Sequence, residues 1–471
     1  MKLESKTPIK NLSLGLDIGT TTISASVVDI YAKKQIQAYT VANQSFIDTD
    51  EPFRKEQDAI LIFTKIDKLL SEILLTYPEI SKIGVTGQMH GIVYVDEKGN
   101  AVSPLYTWQD GRAGLIFKNN QSYAETIQSL TGKAIGVGYG VATHYYNVQN
   151  GFVPKTANKF CTVMDYVTMR LCGENEPKIH PTNAGSLGLF DVGKNDFDYS
   201  AIEKLGLDKS LFPCVVETNY KVGEYNNIPV YVGIGDNQAS FFGAVANEEN
   251  SVLVNYGTGS QVSFVKAQKE EINGFEIRPY RDGLYLYSGA AICGGRAYAI
   301  VEKFFSEYLS ACGISNGKQY ETMNALAQKA YKNDSDLVME TTFCGTRSNP
   351  KKTGGVYNLR EDNFTPENFV YATLKGMAWE LFDMFSGTDK TPYKNLIASG
   401  NAVRLNPVFQ SILARIFDME LYMPTISEEA AFGTALWINA DVNKEQIKEC
   451  VSYKKGVRMT YLVLTSLPSL I

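Results

Sequence analysis

Residues 12–29 read Leu12-Ser-Leu-Gly-Leu-Asp17-Ile-Gly19-Thr20-Thr21-Thr22-Ile-Ser-Ala-Ser-Val27-Val28-Asp29. Apolar residues alternate on both sides of the Gly19-Thr20 turn, and Ile23, Ala25 and Val27 keep the two-residue period of a half-buried strand. The stretch predicts strand, turn, strand. A Walker loop or a dinucleotide fingerprint needs its glycine turn to open a helix, and this period argues against that.

Working outward, a third strand is expected over Gln35 to Val41. A helix then follows from an Asp58 N-cap, with Ile62, Ile66, Leu69, Leu70 and Ile73 on one stripe and Pro78 as its stop. Lys82 to Thr86 reads as a buried strand delivering the loop Gly87-Gln88-Met89-His90-Gly91. This order predicts an α/β layer with a mixed sheet. The opening recurs in architecture at Ser251-Val-Leu-Val-Asn255-Tyr256-Gly257-Thr258-Gly259-Ser260. Two related halves are therefore expected, separated at the polar run Asn247 to Asn250: an N-terminal domain over 1–247 and a C-terminal domain over 248–471. In the second half, Thr365 to Phe385 and Asn406 to Phe417 read as helices and Lys394 to Ser399 as a strand. The end, Met459 to Ile471, is apolar without a period.

The 471 residues, 44% hydrophobic and 20% charged, suffice for two or three domains. With 45 Lys plus Arg against 51 Asp plus Glu, the net charge of −6 leaves no basic field for nucleic acid or anionic lipid. The N-terminus lacks the apolar stretch of a signal peptide and the run Tyr461 to Leu464 is too short to span a bilayer, so a cytoplasmic protein is expected. Seven cysteines without a CxxC pair read as reduced and mostly buried. With only three histidines, His90, His144 and His180, widely separated in the chain, a zinc site has little to build on.

Several motifs carry chemistry-bearing residues. The first hairpin places the hydroxyls of Thr20, Thr21 and Thr22 beside Asp17 at a strand end. That set fits a phosphate cradle with a magnesium-organising carboxylate, and equally a turn that satisfies its own backbone; the second copy favours the phosphate. Asp236, in Gly233-Ile-Gly235-Asp236-Asn237-Gln238, opens a helix, either as a base kept ionised by helix N–H groups or as a plain N-cap. The loops Gly87 to Gly91 and Thr107-Trp108-Gln109-Asp110-Gly111-Arg112 suit a polyol pocket with one aromatic wall; alternatively Asp110 and Arg112 form a local ion pair, Trp108 packs in a core and His90 is partly buried. Gly294-Gly295 and Ser399-Gly400-Asn401 are places where glycine admits a ligand to the backbone, or helix-entry turns. Glu429 to Ala435 reads as a close-packed helix with a small face.

Taken in this order, and with Glu56-Gln57-Asp58, Asp165-Tyr166 and Thr182-Asn-Ala-Gly-Ser186, the motifs resemble the FGGY family of carbohydrate kinases from about Leu14 to about Asn439. The resemblance implies an α/β fold of two actin- and hexokinase-like (ribonuclease H-like) ATPase domains with a central cleft, and ATP-dependent phosphorylation of a sugar. It implies Asp236 as the general base at the sugar's terminal hydroxyl and Asp17 as a residue holding Mg²⁺. Thr20, Thr21, Thr22, Thr258, Gly295, Gly400 and Asn401 would meet ATP, and Gln88, Met89, His90, Trp108, Asp236 and Asn237 the sugar. The partners implied are a small sugar and ATP, with neither nucleic acid nor membrane, and a homodimer stays open.

The Gln88-Met-His90 loop resembles the ketose branch of the family. Gly136-Val-Gly-Tyr-Gly-Val-Ala-Thr143 is most similar to members that convert sedoheptulose to sedoheptulose 7-phosphate, its glycines implying room for a longer ketose; xylulose or another pentulose is the alternative substrate. The chain departs from the family at Ser399, where a second glycine is usual, and at Phe432 and Thr434, where smaller residues are usual. A non-catalytic actin-like ATP-binding module would need the hairpins but have no use for Gln88-Met-His90 or Asp236-Asn237.

Overall fold

A computed structural model describes residues 11–314, 317–346, 349, 351–439 and 442–459, so the apolar end beyond 459 lies outside the described residues. The chain forms two compact units. It first passes from one to the other between Ala246 and Asn247, and residues 278–284 and 426–451 return to the first unit.

In the first unit, β1 (Leu12–Ile18), β2 (Thr22–Asp29) and β3 (Lys34–Ala42) form an antiparallel meander. Asp58 caps α1 (Ala59–Thr76) by accepting from the amides of Ile60 and Leu61, and the predicted stripe Ile62, Ile66, Leu69, Leu70, Ile73 is the buried face. β4 (Ile80–Gly87) returns parallel to β1. The chain later adds β5 (Lys221–Tyr225), β6 (Ile228–Tyr231) and β7 (Ile234–Gly235), then α2 (Asp236–Ala244). The sheet runs β5-β6-β4-β1-β2-β3, with β7 also parallel to β4.

Helix Glu429–Trp437 lies between this sheet and α2, and glycines set the spacing. A Cβ on Gly15 of β1 would stand 1.9 Å from the Ala431 carbonyl oxygen, and one on Gly433 would stand 1.9 Å from that of Ala239 in α2. The two departures on this helix are both buried: Phe432 is inaccessible, and the Thr434 hydroxyl donates to the Ala430 carbonyl at 2.8 Å. That intrahelical bond satisfies the buried hydroxyl.

In the second unit, β8 (Ser251–Tyr256), β9 (Ser260–Lys266) and β10 (Tyr285–Ala291) repeat the meander. They are followed by α3 (Gly294–Ala311), α4 (Pro366–Ser386), β11 (Asn395–Ser399), α5 (Pro407–Phe417), β12 (Glu420–Pro424) and β13 (Tyr453–Lys455). The order β10-β9-β8-β11-β12 has two antiparallel and then two parallel pairings, the same sequence of senses as β3-β2-β1-β4-β6 in the first unit. Thr365 and Asn406 cap α4 and α5, each ahead of a proline at the first helical position, as the sequence predicts.

All seven cysteines are unpaired: Cys161, Cys293 and Cys450 are buried, Cys172 and Cys344 half-buried, and Cys214 and Cys312 exposed. Two of the three histidines are structural. Burial lowers His144, which meets the Tyr94 hydroxyl at 2.7 Å, to about 4, and His180, the N-cap of helix Pro181–Leu187, to about 3. Among the described residues no cluster of three or more His, Cys, Asp or Glu is placed to hold a metal, and no helix is long and apolar enough to cross a membrane.

Candidate active site

The first Gly-Thr turn is held through its carbonyls. Asn43 donates from Nδ2 to Gly19 O at 2.8 Å and from its amide to Thr21 O at 2.9 Å, and Gln57 Nε2 donates to Thr20 O at 2.8 Å. The exit of β4 is tied to the same place, because the Gln88 amide donates to Ile18 O at 2.9 Å. Sequence-predicted residues from three loops thereby meet. Trp108 Nε1 donates to the Thr20 hydroxyl at 3.0 Å, and the Thr20 hydroxyl lies 3.2 Å from Gln88 Oε1. Thr21 and Thr22 are exposed.

Asp236 is the first residue of α2, and Gly235 occupies the cap position without any side-chain capping bond. Asp236 is thus one position inside the helix and not its N-cap, and its carboxylate accepts from Asn237 Nδ2 at 2.7 Å, with the backbone amides of the first turn also favouring its charged form. The entering loop is over-determined. Asn183 Nδ2 donates to Gly233 O at 2.9 Å, Thr86 Oγ1 to Ile234 O at 2.8 Å, and the Gly235 amide to Thr182 Oγ1 at 3.0 Å. Thr182 and Asn183 belong to the quoted motif, and this is the use the fold makes of them.

Burial raises the Asp236 carboxyl above its ordinary range, against the opposing pull of the Asn237 hydrogen bond and the Arg278 guanidinium. Asp17, at the end of β1, is pushed up to about 8 by burial and by the negative charges of Asp236 and Glu428. Two carboxylates that repel each other at a strand end and a helix start, with hard oxygen donors, make a site whose charge a divalent cation would balance.

Met89 is buried, with its sulfur 3.7 Å from Asn237 Nδ2 and 3.6 Å from Arg278 Nη1. Arg278 is a residue the sequence reading missed: it arrives from beyond the second hairpin, and nothing local marks it. His90 sits at φ 76°, a left-handed conformation uncommon for a side-chain-bearing residue. Its amide donates to Ser186 Oγ at 3.2 Å, its Nδ1 lies 2.7 Å from Ser186 O, and its ring stacks on Tyr139 at 4.3 Å. Because a carbonyl only accepts, Nδ1 carries a proton in this contact.

Trp108 is 47% exposed, which rules out the core-packing alternative. Asp110 and Arg112, by contrast, are the ion pair of the second alternative. Arg112 is buried, bonds Asp110 at 2.7 Å, Glu56 at 2.6 Å and Asn147 at 2.8 Å, and lies over the Tyr106 ring. The glycines of 136–140 are occupied by close packing rather than by open space. A Cβ on Gly138 would stand 1.8 Å from Trp108 O, and one on Gly140 would stand 3.0 Å from His90 O and closer still to Ile92 and Leu187. This segment clamps both loops.

In the second unit the predicted nucleotide residues also converge. The Gly295 amide donates to Gly257 O at 2.9 Å and the Arg296 amide to Thr258 O at 3.1 Å, docking the Gly257-Thr258-Gly259 turn on the start of α3. Gly294 and Gly295 allow no side chain: their Cβ atoms would stand 2.2 Å from Gly259 C and 2.5 Å from Gly257 O. A Cβ on Gly400, at φ 94°, would stand 2.3 Å from Tyr256 O, and this glycine leads into the short helix Asn401–Arg404. Thr258 and Asn401 are exposed.

Two family models cover most of the chain: the N-terminal domain of the FGGY family of carbohydrate kinases matches residues 12–243 and the C-terminal domain residues 252–440. The chain is 26% identical to mouse (Mus musculus) sedoheptulokinase over 90% of its own length and 96% of the relative's. Among solved structures, gluconate kinase from Lactobacillus acidophilus superposes with a TM-score of 0.83 at 17% identity, covering 95% of this chain and 94% of that one. Plasmodium falciparum glycerol kinase with ADP superposes at 0.77 with 18% identity, covering 93% and 92%. With both family domains present in order and the predicted residues gathered in each unit, the chain belongs to the FGGY family of carbohydrate kinases.

Proposed function

We propose that this carbohydrate kinase transfers the γ-phosphate of ATP to the terminal hydroxyl of a ketose, sedoheptulose above the others, giving sedoheptulose 7-phosphate. The observation that carries the proposal is Asp236, a first-turn carboxylate held by Asn237, whose amide nitrogen also meets the Met89 sulfur. A carboxylate with a raised pKa is well matched to take a hydroxyl proton near neutral pH. In the step, Asp236 accepts the proton as the sugar oxygen forms its bond to γ-phosphorus, and the bond from γ-phosphorus to the bridging oxygen breaks, releasing ADP.

Gln88, Met89, His90, Trp108 and Asn237 orient the sugar. Thr258, Gly295, Gly400 and Asn401 hold the nucleotide, the turn of 257–259 offering backbone at close range, while the exposed Thr21 and Thr22 side chains and the backbone of Thr20 face the transferring phosphate. Asp17 would hold Mg²⁺, which supplies charge neutralisation on the phosphates when bound. A cytoplasmic location fits seven unpaired cysteines.

Sedoheptulose is supported by the mouse relative. One observation favours a second substrate class: the buried Arg278 guanidinium beside Asp236 and Met89 suits the carboxylate of an aldonate such as gluconate. The test is ATP-dependent phosphorylation of sedoheptulose, xylulose, ribulose, gluconate and glycerol, with product masses recorded. The highest kcat/KM on sedoheptulose is expected. Preference for xylulose or gluconate moves the substrate, and ATP hydrolysis without transfer to any sugar returns the chain to the non-catalytic module.

A further inference from the structure

Gln57, quoted above only as part of a motif, is completely buried and makes two side-chain bonds. Its Nε2 donates to Thr20 O at 2.8 Å, and its Oε1 lies 2.7 Å from Gln88 Nε2. Gln88 Oε1 lies 3.2 Å from Thr20 Oγ1, which lies 3.0 Å from Trp108 Nε1. Both ends of this chain are chemically one-way. An indole N–H can only donate and a backbone carbonyl can only accept.

The direction of every bond between them follows. The Thr20 carbonyl requires the Gln57 amide nitrogen, so the Gln57 oxygen faces Gln88. That oxygen requires the Gln88 nitrogen, so the Gln88 oxygen faces Thr20. The Thr20 hydroxyl must then donate to Gln88 and accept from Trp108. While the chain holds, the Thr20 hydroxyl proton is engaged on the sugar loop and not offered to a phosphate oxygen.

We infer that Gln57 is a positioning residue that sets the direction of the Trp108–Thr20–Gln88–Gln57 chain, and so fixes which face Gln88 and Trp108 present to the sugar and how the first hairpin sits. The inference rests on the kinase reading above. Gln57 itself is placed behind Gln88 and Thr20, so its effect passes through them.

The test combines two substitutions with kinetics and NMR. Gln57→Leu removes both bonds at similar volume and should raise the sugar KM and lower kcat, together about 10-fold or more in kcat/KM, with the ATP dissociation constant within about twofold of wild type. Gln57→His can donate from one ring nitrogen to Thr20 O and accept from Gln88 on the other. It should recover much of the loss at pH 8 and lose it again on acidification toward the ordinary imidazole pKa of about 6.5, because imidazolium cannot accept.

The Trp108 indole N–H signal should shift in Gln57→Leu although the two residues do not bond, a readout independent of activity. Should Gln57→Leu not fold, the pH profile of Gln57→His carries the test. Kinetics within twofold of wild type for Gln57→Leu, an unmoved indole signal, or a Gln57→His profile identical to wild type would each overturn the inference. An inactive wild type with a shifted indole signal would instead overturn the kinase reading and leave the chain standing.

Discussion

The two Gly-Thr hairpins occupy equivalent places in sheets of the same strand order, yet they are held in different ways. At Gly19 to Thr22 the turn carbonyls are taken by Asn43 and Gln57, and a threonine hydroxyl is engaged by Gln88 and Trp108. At Gly257 to Gly259 the carbonyls are taken by the backbone amides of Gly295 and Arg296, and Thr258 stays exposed. A turn fixed by side chains is built into one specific pocket and suits a ligand read by directional hydrogen bonds. A turn whose carbonyls are taken by backbone amides leaves its threonine exposed and suits phosphate, which backbone N–H groups recognise without side-chain identity.

Breaking the second hairpin should have the larger effect. Gly295→Ala places a methyl 2.5 Å from Gly257 O. It should weaken ATP binding about 100-fold by calorimetry while sugar binding stays within about threefold, since the displaced backbone is the proposed nucleotide cradle. Breaking the first hairpin should act on the other ligand. Thr20→Val strips a donor and an acceptor from Gln88 and Trp108 and should lower kcat/KM for the sugar about 10- to 100-fold, with Thr20→Ser close to wild type. An equal loss of ATP affinity in Thr20→Val would dissolve the contrast. Thr258→Ala should change the ATP dissociation constant less than about fivefold, because that turn is held by backbone.

The smallest effect is expected at Asp165. Burial raises the Asp165 carboxyl to about 7, with bonds from Thr162 opposing the rise. A carboxyl whose pKa is higher folded than unfolded stabilises the fold at low pH, and that contribution is lost as pH rises from about 4 to about 7. Asp165→Asn should therefore melt about 2 °C or more above wild type at pH 8, with the difference shrinking toward pH 4. A difference independent of pH would sink the assignment.

Much of this architecture was legible in the chain. The period-2 runs around Gly19 and Gly257, the Asp58, Thr365 and Asn406 caps, and the glycines at 294, 295 and 400 each state a local requirement that the fold meets. Long-range demands were not legible. Arg278 reaches Met89 from 189 residues away, and no spacing rule encodes that. Gln57 stood inside a quoted motif, but its role depends on which atoms of Thr20 and Gln88 it faces. The glycines of 136–140 suggested open room because a missing side chain reads alike whether ligand or protein fills the space; here Trp108 and His90 backbone fill it.

The central claim is that Asp236 takes the sugar's proton, and the most direct measurement is kcat and both dissociation constants for Asp236→Asn across pH. The account predicts a fall in kcat of about 1,000-fold or more with ATP and sugar binding within a few-fold of wild type. It also predicts that the wild-type acid limb, displaced above the ordinary carboxylate range by burial, is absent from the residual activity. Near-normal turnover in Asp236→Asn, or an acid limb that survives the substitution, would contradict it.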